Sequence, residues 1–172
     1  MVNWTIEPIR NEDKDEVIRL MIQNWGSEVM VVHGESFHLA DQPGFLARDK
    51  NRILGLLTYR IDRNSDGEVL SLDSFMENMG VGTALLERFL QQAEDLGLKH
   101  VYLTTTNDNI RALQFYQKRG FTLCGFRRNA VLKARQVKPE IPLVAENGIP
   151  IEHELELEYV FEANQSKNNQ NG

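Results

Sequence analysis

The sequence lacks several features that would place it outside the cytosol. It has a single cysteine, Cys124, so no disulfide can form within the chain, and this fits a reducing compartment. No apolar run is long enough to cross a membrane. Residues 1–16 become acidic early and lack the basic start and apolar core of a signal peptide. We therefore expect a cytoplasmic protein that makes no contact with a membrane.

Basic residues are also fewer than acidic residues. Lysine and arginine number 19 against 25 acidic residues, which gives a net charge of −6. This balance disfavours binding of nucleic acid through a broad basic surface, and it fits a cationic partner such as an amine. A length of 172 residues with 41% hydrophobic content predicts one domain with a sizeable core over 1–162. Residues 163–172 are almost free of apolar side chains and predict a disordered tail.

The hydrophobic spacing predicts an alternation of strands and helices. Asn11 is expected to cap a first amphipathic helix, and residues 27–41 could hold a second short helix. Strands are predicted at 4–9, at 44–48, 53–61 and 68–75 as an antiparallel set, and at 100–106, 121–126 and 153–161. Helices are predicted at about 12–25, 82–97 and 110–119. The helix between strands 68–75 and 100–106 predicts that these two strands are parallel.

Two further features lie in the C-terminal half. Cys124 falls in a predicted strand and is interpreted as a small core residue rather than a nucleophile. Residues 127–150 form a long connection, which is typical of a functional loop or of an excursion with some helix of its own. Polar candidates for substrate contact in and just after it are Arg128, Asn129, Arg135 and His153.

A glycine-rich turn lies between strand 68–75 and the helix that follows it. The first N–H groups of a helix have no partner inside the helix, and Gly80 and Gly82 allow an anion to approach the backbone closely. A mononucleotide P-loop would need a lysine after Gly82, but Thr83 stands there. A dinucleotide fingerprint would need glycine at position 85, which is Leu85. The turn therefore predicts a phosphate site of another kind.

A second motif makes the prediction more specific. Residues 109–121 have the form N-x-x-A-x-x-x-Y-x-x-x-G-F and follow the G-x-G-T-x-L-L segment of the preceding helix. Together these motifs resemble the GNAT N-acetyltransferase family over 67–126, and the long loop before the last strand is similar to that of a bacterial subgroup. The resemblance implies an α/β (α+β) fold with a mixed, mostly antiparallel sheet, splayed between two parallel strands and flanked by helices. Acetyl-coenzyme A would lie in the splay as co-substrate, with no metal.

The resemblance also assigns roles to residues. Leu72 would pair through its backbone with the pantetheine arm and polarise the thioester carbonyl. Asn109 would reach the coenzyme from the next helix, and Tyr116 would act as general acid. The pyrophosphate would lie on the turn formed by Met79, Gly80, Val81, Gly82 and Thr83.

The resemblance also implies a general base, because many family members have a carboxylate near the start of strand 68–75. Glu68 is the candidate, because it lies near the start of the strand and in line with Leu70 and Leu72. Asp66 and Asp73 are alternatives, and simple alternation points Asp73 to the opposite face.

The turn departs from the family pattern at three positions. Glu77 and Asn78 stand where the family usually has Arg or Gln followed by Gly, and Met79 replaces a common basic residue. A carboxylate near a pyrophosphate repels it, so we expect weaker coenzyme binding than is usual.

The resemblance implies transfer of acetyl from acetyl-coenzyme A to a primary amine of a small molecule or peptide by direct attack. An alternative is a non-catalytic sensor module that binds acyl-coenzyme A, and a weaker one is a nucleotide-binding oxidoreductase. A homodimer is possible.

Overall fold

The computed structural model describes residues 3–162. The strands are β1 (Thr5–Pro8), β2 (Val29–Val32), β3 (Glu35–His38), β4 (Gly44–Asp49), β5 (Arg52–Ile61), β6 (Gly67–Ser74), β7 (His100–Thr106), β8 (Thr122–Arg127) and β9 (Glu154–Val160). The helices are α1 (Lys14–Trp25), α2 (Val81–Asp95), α3 (Ile110–Gln117) and α4 (Ala130–Val137), with 3-10 turns at Asn11–Asp13 and Leu39–Asp41. The predicted tail at 163–172 lies outside the described residues.

Seven strands form one sheet in the order β1-β4-β5-β6-β7-β9-β8. Every neighbouring pair is antiparallel except β6 and β7, which are parallel as predicted. Their pairing spans only residues 67–69 of β6 and 101–103 of β7, although both strands continue further. The predicted splayed, mostly antiparallel sheet is therefore confirmed.

Helices cover both faces of this sheet. On one face α2 packs against a core that includes Leu57, Val69 and Phe89. On the other face α1 packs through Val17 and Met21 against a second cluster from β4, β5 and β6. Each face of the sheet therefore has its own core. The gap where β6 and β7 stop pairing connects the two faces. No helix in residues 3–162 is both long and apolar enough to cross a membrane.

The start of the chain differs from the prediction at Asn11. Asn11 does not cap α1, because Asn11–Asp13 forms a 3-10 turn in which the Asp13 carboxylate accepts from the Arg10 N–H at 2.8 Å. Of residues 27–41, which left a short helix open, the β2–β3 hairpin occupies 29–38 and the only helical part is the 3-10 turn at Leu39–Asp41. His33 and Gly34 both have positive φ, 54° and 76°, which suits the tight turn of a two-residue hairpin.

In the C-terminal half, the prediction that Cys124 is buried is wrong, and the prediction of a helix within 127–150 is confirmed. Cys124 is exposed rather than buried, because β8 is the edge strand of the sheet. The excursion between the last two strands does contain a helix of its own, α4. The rest of that segment is held by a β-bridge between Val144 and Pro150.

Candidate active site

A cavity of about 340 Å³ lies where β6 and β7 diverge. Residues 69–73 of β6 and 103–106 of β7 line it, together with Tyr116 of α3. On the α1 face its walls are Trp25 and residues 29–32, and Lys138, Ile141 and Glu154 close it from the C-terminal segment. The cavity therefore reaches through the splay from one face of the sheet to the other.

The glycine turn lies at the start of α2 beside this splay. Gly80 has φ of 71°, a left-handed conformation that glycine adopts without strain, and α2 begins at Val81. A Cβ on Gly82 would touch the Phe115 ring at an ordinary 3.8 Å. Asn78 also has a positive φ of 58°, and asparagine tolerates this conformation better than most residues. Left-handed residues at 78 and 80 thus lead the chain into α2, although the sequence of the turn departs from the family pattern.

Arg119 of the segment after α3 contacts the first turn of α2. Its Nε and Nη2 donate to Thr83 Oγ1 at 3.2 and 2.6 Å, and its guanidinium stacks over the Phe115 ring at 3.6 Å. A cation therefore lies beside the turn that has Met79 in place of the usual basic residue. The motif alone gave no signal for this contact, which depends on how α3 packs against α2.

Leu72 and Asn109, the two residues expected to contact the coenzyme arm, lie on β6 and at the start of α3. Leu72 packs partly buried on the α2 core. Within residues 3–162, β6 has no strand partner on its β7 side beyond Val69. Asn109 caps α3, because its Oδ1 accepts from the Ala112 N–H at 3.1 Å. Asn109 also lies among the residues that line the cavity.

Tyr116 lies on the cavity wall and is 8% exposed. Its ring makes edge contacts with Phe115 and Phe121, at centroid distances of 5.1 and 5.4 Å. Burial raises the pKa of Tyr116 far above its ordinary value, and the nearby charge of Asp73 raises it further. The hydroxyl is therefore protonated at neutral pH and can serve as a hydrogen-bond donor.

Glu68 lies outside the residues that line the cavity. Its two carboxylate oxygens accept hydrogen bonds, one from His33 Nε2 at 2.9 Å and the other from Arg60 Nε at 2.6 Å. Burial acts to raise the pKa of Glu68, but the hydrogen bonds from His33 and Arg60 outweigh it and hold that pKa below its usual value. Because of these contacts, Glu68 is a poor proton acceptor, and its ion pair with Arg60 has a structural role.

The prediction that Asp73 faces away from Glu68 is wrong. A β-bulge interrupts the β5–β6 register where Thr58 pairs with Ser71 and Tyr59 with Val69, so β6 gains one residue. The extra residue shifts the alternation of side chains, because two residues of a bulged strand oppose one on the partner. Asp73 consequently lies on the α1 face, as Glu68 does, and bonds to Trp25 at the end of α1.

Asp73 has the surroundings of a proton acceptor. It lines the cavity and is 8% exposed. Its Oδ1 accepts from Trp25 Nε1 at 3.0 Å, while Oδ2 has no hydrogen-bond partner within residues 3–162. Burial raises the pKa of Asp73 to about 6, although the Trp25 hydrogen bond acts to lower it. A carboxylate with this pKa is ionised at neutral pH and can take up a proton.

Most polar candidates of the C-terminal segment brace that segment. Arg135 donates to the Ile141 carbonyl at 3.1 Å and the Ile151 carbonyl at 2.6 Å. The Asn129 N–H donates to His153 Nδ1 at 3.0 Å. Arg128 is exposed and lines a second cavity rather than the one at the splay.

Comparison with known proteins places this arrangement in a family. The sequence profile of the Acetyltransferase (GNAT) family matches residues 4–121. The Bacillus subtilis (strain 168) protein YxbD is 44% identical over 153 residues, which cover 88% of this chain and 96% of YxbD. The chain therefore belongs to the GNAT family of acetyltransferases, as its motifs indicated.

Solved structures with low sequence identity share the fold. An IAA acetyltransferase from Bacillus cereus ATCC 14579 superposes with a TM-score of 0.72 at 18% identity, covering 92% of this chain and 100% of that one. A GNAT acetyltransferase from Elizabethkingia anophelis with acetyl-CoA bound has a TM-score of 0.67 at 21% identity, with 94% and 100% covered. At these identities the likeness establishes the splayed fold.

Proposed function

We propose that this protein transfers an acetyl group from acetyl-coenzyme A to a primary amine by direct attack. One observation carries the proposal: a single cavity crosses the splay and is lined by Tyr116 near the α2 face and by the Asp73 carboxylate on the α1 face. A thioester entering from one face and an amine entering from the other would meet between these two side chains.

The coenzyme would be held by the groups at the α2 face. The N–H groups of 80–83 and the positive end of the α2 dipole favour a pyrophosphate. The pantetheine arm would run along the unpaired edge of β6 at Leu72, as an added strand does on an open sheet edge. Asn109 would donate to it from the start of α3. The Elizabethkingia anophelis relative, which shares the splayed sheet, has acetyl-CoA bound, and this supports the assignment.

The reaction needs two proton movements. The acceptor enters as an ammonium ion, and Asp73 accepts the proton that frees the nitrogen lone pair. The nitrogen attacks the thioester carbonyl, so a C–N bond forms and the C–S bond breaks. The second proton of the nitrogen ends on the coenzyme sulfur, while the proton on Asp73 passes to solvent.

Tyr116 would stabilise the departing thiolate. A thiol of this kind has a pKa of about 8.5, well below that of the buried phenol. Full proton transfer from Tyr116 to the sulfur is therefore unfavourable, and donation of a hydrogen bond is the role that fits. This refines the general-acid role that the family resemblance implied.

Arg119 would supply positive charge at the pyrophosphate. We expect Arg119→Gln to raise the Kd of coenzyme A about 10- to 100-fold, because a hydrogen bond to a charged group contributes roughly 1.5–3 kcal/mol. Isothermal titration calorimetry with coenzyme A and with pantetheine would measure this, since pantetheine has no pyrophosphate. Arg63→Gln, at an exposed turn position, is the control of equal charge change. Equal weakening of both ligands would remove Arg119 from pyrophosphate binding.

The function itself is tested in two steps. The thermal stability of the protein should rise with acetyl-coenzyme A but not with NAD or ATP, since only the first has a pantetheine arm to pair with β6. Release of free coenzyme thiol should then require an added primary amine. Stabilisation without thiol release from any amine would support the sensor module instead, and absence of stabilisation would contradict both.

A further inference from the structure

Trp25 is the last residue of α1 and lies at the wall of the cavity. Val17 and Met21 precede it at intervals of four on the same face of the helix, and both are buried in the core. Trp25 continues this line but is 61% exposed, since it borders the cavity rather than the core. Packing in the core therefore does not account for a tryptophan at this position.

The indole N–H of Trp25 makes a hydrogen bond that joins two distant parts of the chain. Its Nε1 donates to Asp73 Oδ1 at 3.0 Å, across 48 positions of sequence. Asp73 Oδ2 has no partner, so this is the only hydrogen bond to the carboxylate within residues 3–162. Phenylalanine or leucine would cover the same wall but has no N–H to donate. The hydrogen bond is therefore the property that distinguishes Trp25 from another large apolar residue.

The other groups around Asp73 make no comparable contact in the described part of the chain. Three other ionisable side chains line the cavity, namely Tyr116 of α3, Lys138 after α4 and Glu154 of β9. None of them hydrogen-bonds to Asp73, and the residue that pairs with Asp73 on β5 is the apolar Leu56. Burial raises the pKa of Asp73, and the hydrogen bond from Trp25 acts to lower it. Among residues 3–162, Trp25 is thus the side chain that favours the charged carboxylate by direct contact.

We propose that Trp25 is a positioning residue, whose indole N–H holds one oxygen of the Asp73 carboxylate and stabilises its negative charge. This inference rests on the proposed acetyl transfer, in which Asp73 accepts the proton of the acceptor ammonium. Without the donor the carboxyl would ionise only at higher pH, so a smaller fraction of the protein could accept that proton at neutral pH. Trp25 acts through Asp73 and takes no part in the making or breaking of bonds.

The first test compares the pH dependence of kcat/KM in the wild type and in Trp25→Phe, with butylamine and saturating acetyl-coenzyme A. The wild-type midpoint is expected near 6, and that of the variant about one to two pH units higher, as loss of one hydrogen bond to a charged group provides. The variant should therefore be about 10- to 100-fold less active below pH 6 and approach the wild type at high pH. Trp4→Phe is the matched control and should keep the wild-type profile, because Trp4 packs against the α2 core and does not line the cavity.

A second test uses fluorescence and needs no substrate. The chain has two tryptophans, so the tryptophan emission of the Trp4→Phe protein comes from Trp25 alone. This emission should change in a transition centred near pH 6, since the charge beside an indole alters its emission. The transition should be absent when Asp73→Asn is added to the same protein.

The outcomes separate this inference from the function beneath it. A deficit of Trp25→Phe that is equal at every pH would overturn the inference, because it would indicate a purely structural role. A fluorescence transition that persists with Asp73→Asn, or the lack of one near pH 6, would also overturn it. Each of these results would leave acetyl transfer intact, whereas acetylation of no amine at all would contradict the proposed function itself. The fluorescence test uses neither an amine nor Trp25→Phe, so it decides the matter even if that variant fails to fold.

Discussion

Asp73→Asn is expected to lower kcat/KM by about a hundredfold to ten-thousandfold, the range for loss of a general base. Asparagine keeps an oxygen that can accept from Trp25 Nε1, so the geometry of the cavity is preserved. It cannot take the proton of the acceptor ammonium. Steady-state kinetics of thiol release, with coenzyme affinity measured separately, would show the loss in catalysis without a matching loss in binding.

The same substitution should stabilise the fold at neutral pH. Burial raises the pKa of Asp73 from 3.8 to about 6 in the folded state, so folding disfavours its charged form. The penalty is absent below the unfolded pKa, grows between the two values and is complete above about 6. Two pKa units correspond to about 3 kcal/mol, which bounds the expected gain in the free energy of unfolding at pH 7–8.

Urea unfolding of both proteins at several pH values would measure this gain. The difference should shrink as pH falls from 6 toward 4, and Asp15→Asn, an exposed position on α1, should show no such trend. The wild-type kcat/KM should rise with pH through about 6, because the ionised form is the active one. A variant with full activity, or one that is less stable at neutral pH, would contradict the role given to Asp73.

Tyr116→Phe is expected to lower kcat by about 10- to 100-fold, which is the effect of removing a hydrogen bond to a charged group. The ring contacts with Phe115 and Phe121 remain, so stability and the Kd of coenzyme A should change little. Stopped-flow measurement of thiol release would isolate the chemical step. Tyr102→Phe on β7, which does not line the cavity, is the matched control.

Unchanged kcat in Tyr116→Phe would remove the hydroxyl from the mechanism. A large rise in Kd would instead assign Tyr116 to coenzyme binding. Neither result would bear on Asp73 as the general base, because Asp73 lies on the α1 face of the cavity.

Much of the fold could be predicted from local patterns. The helix between β6 and β7 predicted their parallel pairing, and the glycines at 80 and 82 together with the motif at 109–121 predicted the family. These signals are local because a helix start, a crossover and a cap depend on residues close in sequence.

The rest depended on contacts between distant segments. The bulge in β6 comes from its pairing with β5, and it turned Asp73 toward the same face as Glu68. The sequence made Glu68 the candidate base, but it could not show that His33 and Arg60 would occupy both of its oxygens. The place of Glu154 in the cavity likewise follows from the return of the C-terminal segment over the splay.

The proposed reaction is direct transfer of acetyl from acetyl-coenzyme A to an amine within the splay. A rapid-quench experiment with acetyl-labelled coenzyme A and butylamine, analysed by mass spectrometry, tests it most directly. If transfer is direct, the label moves into the amine within a single turnover, with none attached to the protein at any time. Label trapped on the protein before the product forms, or no labelled amine at all, would contradict it.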